Sequence, residues 1–598
     1  MSEFLAAQEM LDEDVTLIVQ QDLNMAYPRS SFEYDNARKQ PEVIVSGSPY
    51  MDRPSVGRQD SWSDDRHTES VFESLRSRIG WISLHKTPSI YLLLPAFMLL
   101  TVSHGGLIAP KLNLLLSLVC RAKFSQVESN ASSTEFLNIM ADVEPQCQTA
   151  DVHARVAKFN MSVSLIQGTL AAIISPKLGI LSDRIGRCYV LAICALGPIL
   201  SNLVLIILAR SSAAMAYRWF WLAAVFDGLT GAVAAIMATS HAYATDCTAA
   251  ERRATVFGLL HACMFIGFAI GPSLGGYLIQ VTDSILSVFY AGIIGQVLFV
   301  TFALFFLPES VPMQHRLDAQ EMHRVSTQFE AARQHQRTMR EWIDHLNFLK
   351  PLAILWPRTS TDVRPSIRRN LGILASIDTM MVGAGAGSMM VFILYAEFTF
   401  AWSSVEAGYF MSLSGTVRAI VLTFILPLAT RFLRSLDLNG VNHVGASYSD
   451  ILLIRAALAI EVIAILGYMV SKTSLQFMLS GCLGSVGSIA SPTLQSTLTK
   501  HVPKHSTGQL LGALSLLHCL CGIIAPTIFS SIYAYTVGWF SKAFFIMLIF
   551  VFCVSLMMSV FVRKNTKASL FVEETGDQWN SGVEGNGYEL EYNSAHIH

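Results

Sequence analysis

Charge is scarce in this chain. Only 14% of its 598 residues are Asp, Glu, Lys or Arg, whereas a soluble domain carries about 25%. With 52% hydrophobic residues and a mean hydropathy of +0.44, this shortage excludes an ordinary soluble fold and indicates a membrane protein. The net charge of −2 offers nothing to a polyionic partner, so nucleic-acid binding is not expected. Ten cysteines are too few for a disulfide framework, and none stands with histidine at metal-ligand spacing. Cys519 and Cys521 sit in an apolar run and read as small packing residues. A nucleotide-binding glycine loop is missing, and so is a nucleophile–base arrangement. ATP-driven pumping, enzymatic chemistry and a resident metal or cofactor are therefore not expected.

Residues 1–85 lack the apolar core of a signal peptide and are rich in Asp, Glu, Ser and Arg, the composition of a disordered cytosolic tail. Within them RQDSWSDD (58–65) places Ser61 three residues after Arg58. That spacing suits phosphorylation, although a solvated acidic linker is the simpler interpretation.

What remains is apolar runs. A bilayer core takes about 20 apolar residues as a helix, and twelve such windows occur. Six lie at approximately 89–109, 160–181, 189–209, 217–241, 255–278 and 284–307. Six more lie at approximately 370–396, 405–429, 451–471, 474–496, 508–533 and 540–562. The expected architecture is an all-α membrane protein of twelve transmembrane helices in two pseudo-symmetric six-helix bundles. The bundles occupy 86–307 and 370–562, joined by a linker at 308–369 and followed by a tail at 563–598.

Basic residues orient these spans. Arg184 and Arg187, Arg252 and Arg253, Arg431 and Arg434, and Lys500 and Lys504 follow the second, fourth, eighth and tenth spans, and the linker is strongly basic. Both termini and the linker are thereby placed in the cytosol. The long loop after the first span then faces outward, where Asn130 of Asn130-Ala131-Ser132 can be glycosylated and Cys120 can pair with Cys147. A second sequon, at Asn160, lies too close to the bilayer to be modified readily. The outward sequon favours the plasma membrane. Within the linker, FLKPLAILWPR (348–358) can lie on the inner leaflet as a tether, its two prolines arguing against one helix.

The halves repeat. FGLLHACMFIGFAIGPSLGG from Phe257 aligns with LGALSLLHCLCGIIAPTIFS from Leu511 at an offset of 254, matching Gly258 to Gly512 and Pro272 to Pro526. LSDRIGR (181–187) aligns with LATRFLR (428–434) at an offset of 247, losing the Asp and the Gly. Internal repeats of this kind are the trace of transporter halves.

GILSDRIGR (179–187) concentrates charge in a chain that avoids it. Gly179 and Gly186 permit a tight turn and close helix approach, Asp183 can pair with a neighbouring Arg or face a helix N-terminus, and Arg184 and Arg187 supply cations. Such a cluster suits a latch that locks one packing of the two bundles and must break for the other. The competing interpretation is a loop that merely sets topology.

Gly179-x-Leu181-x-Asp183-Arg184-x-Gly186-Arg187 followed by Leu191 resembles the signature after the second helix of major facilitator superfamily transporters. Cys188 departs from it, where that family usually has another basic residue. Asp246, the run Glu251-Arg252-Arg253 and LPES (307–310) resemble the family's exits from helices 4 and 6. The resemblance covers about 89–562 and implies transport by alternating access. Gly258-x8-Gly267-x3-Gly271-Pro272-x2-Gly275-Gly276 resembles the helix-5 motif of the superfamily's drug:proton antiporters. Gly267, Gly271 and Gly275 recur every four residues and form one smooth helical face, beside a kink at Pro272. The helix-4 Arg of those antiporters is replaced by Asp227. The outer loop with its sequon resembles instead the group of proton-coupled folate and thymic stromal transporters.

Ionisable residues at membrane depth are functional candidates. Here they are His104, Asp227, His261, Asp378, Arg418, Glu461 and His518. Asp378 and Arg418, on one hairpin at similar depth, can pair, which would be structural rather than catalytic. Asp227 and Glu461 have no obvious counter-charge and, with Asp378, are the candidate proton-coupling acids. Glu397 and Glu406 flank the outer turn, where headgroup water reaches them. His104, before Gly105-Gly106, and Arg418 are candidate substrate contacts, whereas His261 and His518 read as satisfied core histidines. The expected function is proton-coupled efflux of a drug-like compound or secondary metabolite by a monomer in the bilayer. Proton-coupled uptake of an organic anion or nutrient is the alternative, and a non-transporting sensor signalling through its tails is a third.

Overall fold

The computed structural model describes residues 87–124, 150–211, 216–317, 319–321, 324–325, 349–356, 365–402, 404–436, 445–503, 506–536 and 538–563. Asn130 and Cys147 lie outside these residues, as do the tails at 1–86 and 564–598. Among the described residues no strand forms, and twelve helical stretches are long and apolar enough to cross a membrane.

The first span is α1 (Ile90–Gly106) and α2 (Ile108–Phe124), broken at Leu107 just after Gly105-Gly106. It runs well beyond the expected boundary near residue 109. Lys111 and Asn113 depress the local hydropathy without stopping the helix, which continues to Phe124. Cys120 consequently lies within α2 and is disulfide-bonded. The second span is α3 (Ala150–Ile185) and the third α4 (Arg187–Arg210). The fourth is α5 (Phe220–Leu229) and α6 (Ala232–Cys247), parted at Gly231, whose φ of +78° favours glycine. The fifth is α7 (Arg253–Thr282) and the sixth α8 (Leu286–Phe305).

The second half starts with α9 (Pro365–Phe400). Its eighth span is α10 (Ser404–Ile420), a π-helical turn (Val421–Ile425) and α11 (Leu426–Leu436). Pro427 follows the π turn; a proline cannot donate to the preceding turn, so the ladder rearranges there. The ninth span is α12 (Tyr448–Val470), opened by a capping box between Ser447 and Asp450. The tenth is split into α13 (Ser474–Gly487) and α14 (Ala490–Thr499), and α15 (Thr507–Thr536) and α16 (Ala543–Val560) complete the set.

Cores form within each half. Leu93, Leu191, Phe257, Phe299 and their neighbours pack one part of the first half. Tyr395, Phe477, Phe544 and Phe545 anchor the second half in a cluster of ring contacts. The halves meet where α3 and α6 pack on α15 and where α7 packs on α10 and α14. Gly508 and Gly512 of α15 bring it against α3: a Cβ on Gly512 would stand 3.0 Å from Pro176 Cα, and one on Gly179 would collide with the Gly508 carbonyl.

Candidate functional site: the bundle seams and the membrane-depth charges

Asp183 occupies the last turn of α3 and projects onto the start of α15. Its two carboxylate oxygens accept from the backbone amides of Gly508 and Gln509, both at 3.1 Å. These are amides that a helix leaves unpaired at its N-terminus, where negative charge is favoured. Arg187, one turn further on, is 1% exposed. It donates to Asp183 at 2.6 Å, to Asp246 of α6 at 3.0 Å and to Ser182 at 2.5 Å. Ser310 also donates to Asp246, at 2.9 Å. A fully buried guanidinium is tolerated because two carboxylates and a hydroxyl surround it.

The turn between α3 and α4 is held by a residue outside both. Glu309 accepts from the amides of Arg187 at 2.8 Å and Cys188 at 3.1 Å, capping α4 in place of a side chain at Gly186. Gly186 has φ +112°, and a Cβ there would strike the Glu309 carboxylate. Cys188 therefore stands at a capped amide, packed against the Leu307 and Pro308 carbonyls. Arg184 is half-buried, and its carbonyl accepts from Gln320 at 3.2 Å.

The other seam is assembled differently. Thr255 and Thr430 share a hydroxyl contact of 3.3 Å between α7 and α11, and Gly258 lies under the Leu426 side chain. Arg253 donates to the Thr499 carbonyl at 3.3 Å, again from first half to second. Nearby, Lys500 pairs with Asp450 at 2.6 Å within the second half. His501 accompanies them; burial, the largest influence, holds its imidazole below the usual histidine range. Its Nδ1 lies 2.8 Å from the Thr497 carbonyl, so in the neutral ring that nitrogen carries the hydrogen.

The glycine face of α7 packs on α1. A Cβ on Gly271 would stand 2.6 Å from the Gly106 amide nitrogen, and one on Gly275 would stand 2.8 Å from the Gly106 carbonyl oxygen. Gly267 similarly faces Thr101, whose hydroxyl donates to the Cys263 carbonyl at 2.9 Å. Gly276 faces open space.

Three expectations for the membrane-depth charges need correction. The Asp378–Arg418 pair does not form: Asp378 accepts from His518 at 2.9 Å, Ser491 at 3.1 Å and Gln495 at 3.3 Å. Depth counting says nothing of direction around α9, and Asp378 turns to α14 and α15. Asp227 is not without a counter-charge, because Lys111 of the extended first span bears on it, while Gln167 donates to it at 2.7 Å. Lys111 also bears on His104. Glu461 feels the charge of Arg418 and lies against Gly487, at the end of α13, where a Cβ would strike it. Arg418 itself stands over the Phe265 ring at 5.2 Å, reaching from the second half to the first. Sequence reasoning passed over Lys111, Gln167, Glu309, His241 and Gln495; helical phase from Asp227 and Asp378 cannot reveal partners on other spans. Among the described residues no group of three or more His, Cys, Asp or Glu is placed to hold a metal ion.

The sequence pattern of the Major Facilitator Superfamily matches residues 139–526. The chain belongs to this superfamily. It is thus a multi-pass membrane transporter and not an enzyme. The MFS-type transporter avaJ of Aspergillus versicolor is 26% identical over 488 residues, covering 81% of this chain and 90% of that one. The class C tetracycline resistance protein of Escherichia coli is 26% identical over 366 residues, covering 60% of this chain and 76% of the relative. The crystal structure of the human organic anion transporter MFSD10 superposes with a TM-score of 0.59 at 19% identity, covering 79% of this chain and 98% of its own. At that identity the superposition shows the fold.

Proposed function

We propose that this superfamily member exports small organic solutes by alternating access, driven by protons, as a monomer in the plasma membrane with both termini cytosolic. The observation that carries the proposal is the Asp183 carboxylate on the first amides of α15. It is a charged, buried contact between halves, suited to a seam that closes in one state and opens in the other. Relatives named for tetracycline resistance support a drug-like compound or secondary metabolite as cargo. Asp227, Glu461 and Asp378 are the carboxylates available for proton coupling, and His104 and Arg418 the groups available for cargo. In this orientation Asn130 faces outward as a glycan acceptor.

Uptake of an organic anion is the second reading. It is favoured by two cations at membrane depth, Lys111 and Arg418, each on a helix beside an acid of its own half. Accumulation of a panel of labelled organic solutes in cells with and without the protein, before and after an uncoupler, separates the two. Export predicts lowered accumulation that recovers with the uncoupler. Raised accumulation that collapses with it overturns export in favour of uptake.

A further inference from the structure

The proton-driven reading leaves open which buried group carries the proton. Such a group must sense the movement of one half against the other. Asp227, with Gln167 and Lys111, belongs wholly to the first half; Glu461 has its counter-charge, Arg418, in its own half, and that arginine meets the first half only at the non-titrating ring of Phe265. The surroundings of Asp378 differ. Its carboxylate is 0% exposed and is gripped by α14 and α15 through Ser491, Gln495 and His518. The charges of Asp378 and His518 both bear on His261 of α7, and that of His518 also bears on His241 of α6. His241 and His261 belong to the first half, their rings stacked at 5.1 Å, with Phe257 on His241 at 4.3 Å. His261 Nδ1 is committed to the Phe257 carbonyl at 3.0 Å, whereas the buried Nε2 of His241 has no partner.

We infer that the His518–Asp378 pair is the proton-carrying site of this transporter, continued across the bundle seam by His261 and His241. Unloaded, a neutral His518 donates its Nε2 hydrogen to the Asp378 carboxylate, and the cluster carries one negative charge. Loading adds one proton at Nδ1 of His518, giving an imidazolium–carboxylate pair of zero net charge. No other bond changes. The His518 side chain is 19% exposed and the Asp378 side chain 0%, so the imidazole is the port and the carboxylate the anchor. A net charge enclosed in an apolar seam is costly and a neutral pair much less so; loading therefore favours the closed arrangement around the pair. Parting of the halves draws His241 and His261 away and readmits water, which solvates the carboxylate and lets the proton leave.

The titratable groups bearing on His241 are His261 and His518, and those bearing on His261 are Asp378 and His518. Two thiols lie close by in sequence. Cys519 lies near Ser175 of α3 and Ser515, and Cys263 contacts the Leu94 carbonyl. Neither supplies a competing charge while protonated.

The test uses full-length protein in lipid vesicles. Infrared spectra recorded as differences between acid and alkaline pH, with no solute present, read the protons directly. Expected are an imidazole signal and a carboxylate signal that titrate together and are both lost in Asp378→Asn and His518→Gln. Wild-type signals persisting in both variants overturn the proposal, as does the absence of a titrating histidine in the wild type. For a solute of the panel that the wild type carries, flux driven by an imposed pH gradient is compared with exchange at equal pH. The ratio should fall at least tenfold in both variants, with a shifted pH profile in His261→Asn. An unchanged ratio in Asp378→Asn and His518→Gln, or its loss only in Asp227→Asn or Glu461→Gln, overturns the proposal. If the wild type exchanges solute but ignores the gradient, the proton-driven reading fails, and the infrared signals alone decide whether the pair binds a proton.

Discussion

The two seams between the halves are copies of one arrangement, made from different chemistry. At one, Asp183 rests on the amides of Gly508 and Gln509. At the other, Thr430, 247 residues on, meets Thr255, which stands 254 residues before Gln509. The repeat kept the approach of the helices and changed the group at the contact. A carboxylate there needs its amides and its buried arginine together, so the seam is either made or broken. Two hydroxyls exchange their contact for water at little cost, and Thr430 also donates to Pro427, 2.9 Å away. One seam is therefore suited to switch and the other to slide.

Breaking the ionic seam should have the largest effect. Asp183→Asn keeps the shape and removes charge-assisted contacts worth about 1.5–3 kcal/mol, which moves a two-state balance by roughly ten- to a hundredfold. The variant should insert normally and transport at under about a tenth of the wild-type rate, measured at matched surface expression. Wild-type transport would sink the latch.

Making the sliding seam ionic should have an intermediate effect. Thr430→Asp places a carboxylate at the start of α7, with Arg434 one turn further on as Arg187 is to Asp183. A charge at a helix N-terminus contributes about 0.3–1 kcal/mol, so turnover should slow about two- to fivefold. Faster turnover would mean that this seam already limits opening. The smallest effect belongs to Thr255→Val. Thr430 retains its Pro427 partner, and transport should stay within about twofold; a larger loss would show that the hydroxyl contact is itself a lock.

The spans, the repeat and the charged cluster after the second span were legible because each is a local pattern. Hydropathy marks a span, a fixed offset marks a repeat, and Gly186 must be glycine at φ +112° whatever lies beyond it. Partners were less legible. Glu309 caps α4 from more than a hundred residues away, and LPES hinted at it only through resemblance. Lys111 was missed because one lysine among apolar residues lowers a window average below threshold, although the helix passes through it. Asp378 and Arg418 were matched on depth, but each residue turns a helix by about 100°, and the two side chains leave their helices toward different neighbours.

By itself the sequence determined that the chain crosses the membrane twelve times in two related halves, with a charged cluster after the second span. Burial of long apolar runs and the handedness of turns act within a few residues, so they need no knowledge of the rest. Only the tertiary structure decided that Asp183 caps α15, that the charge of Lys111 bears on Asp227, and that Asp378 joins His518 beside two histidines of the opposite half. Those relations join residues more than a hundred positions apart, set by how helices rotate to bury their small and polar faces together, and a low-dielectric interior makes each consequential.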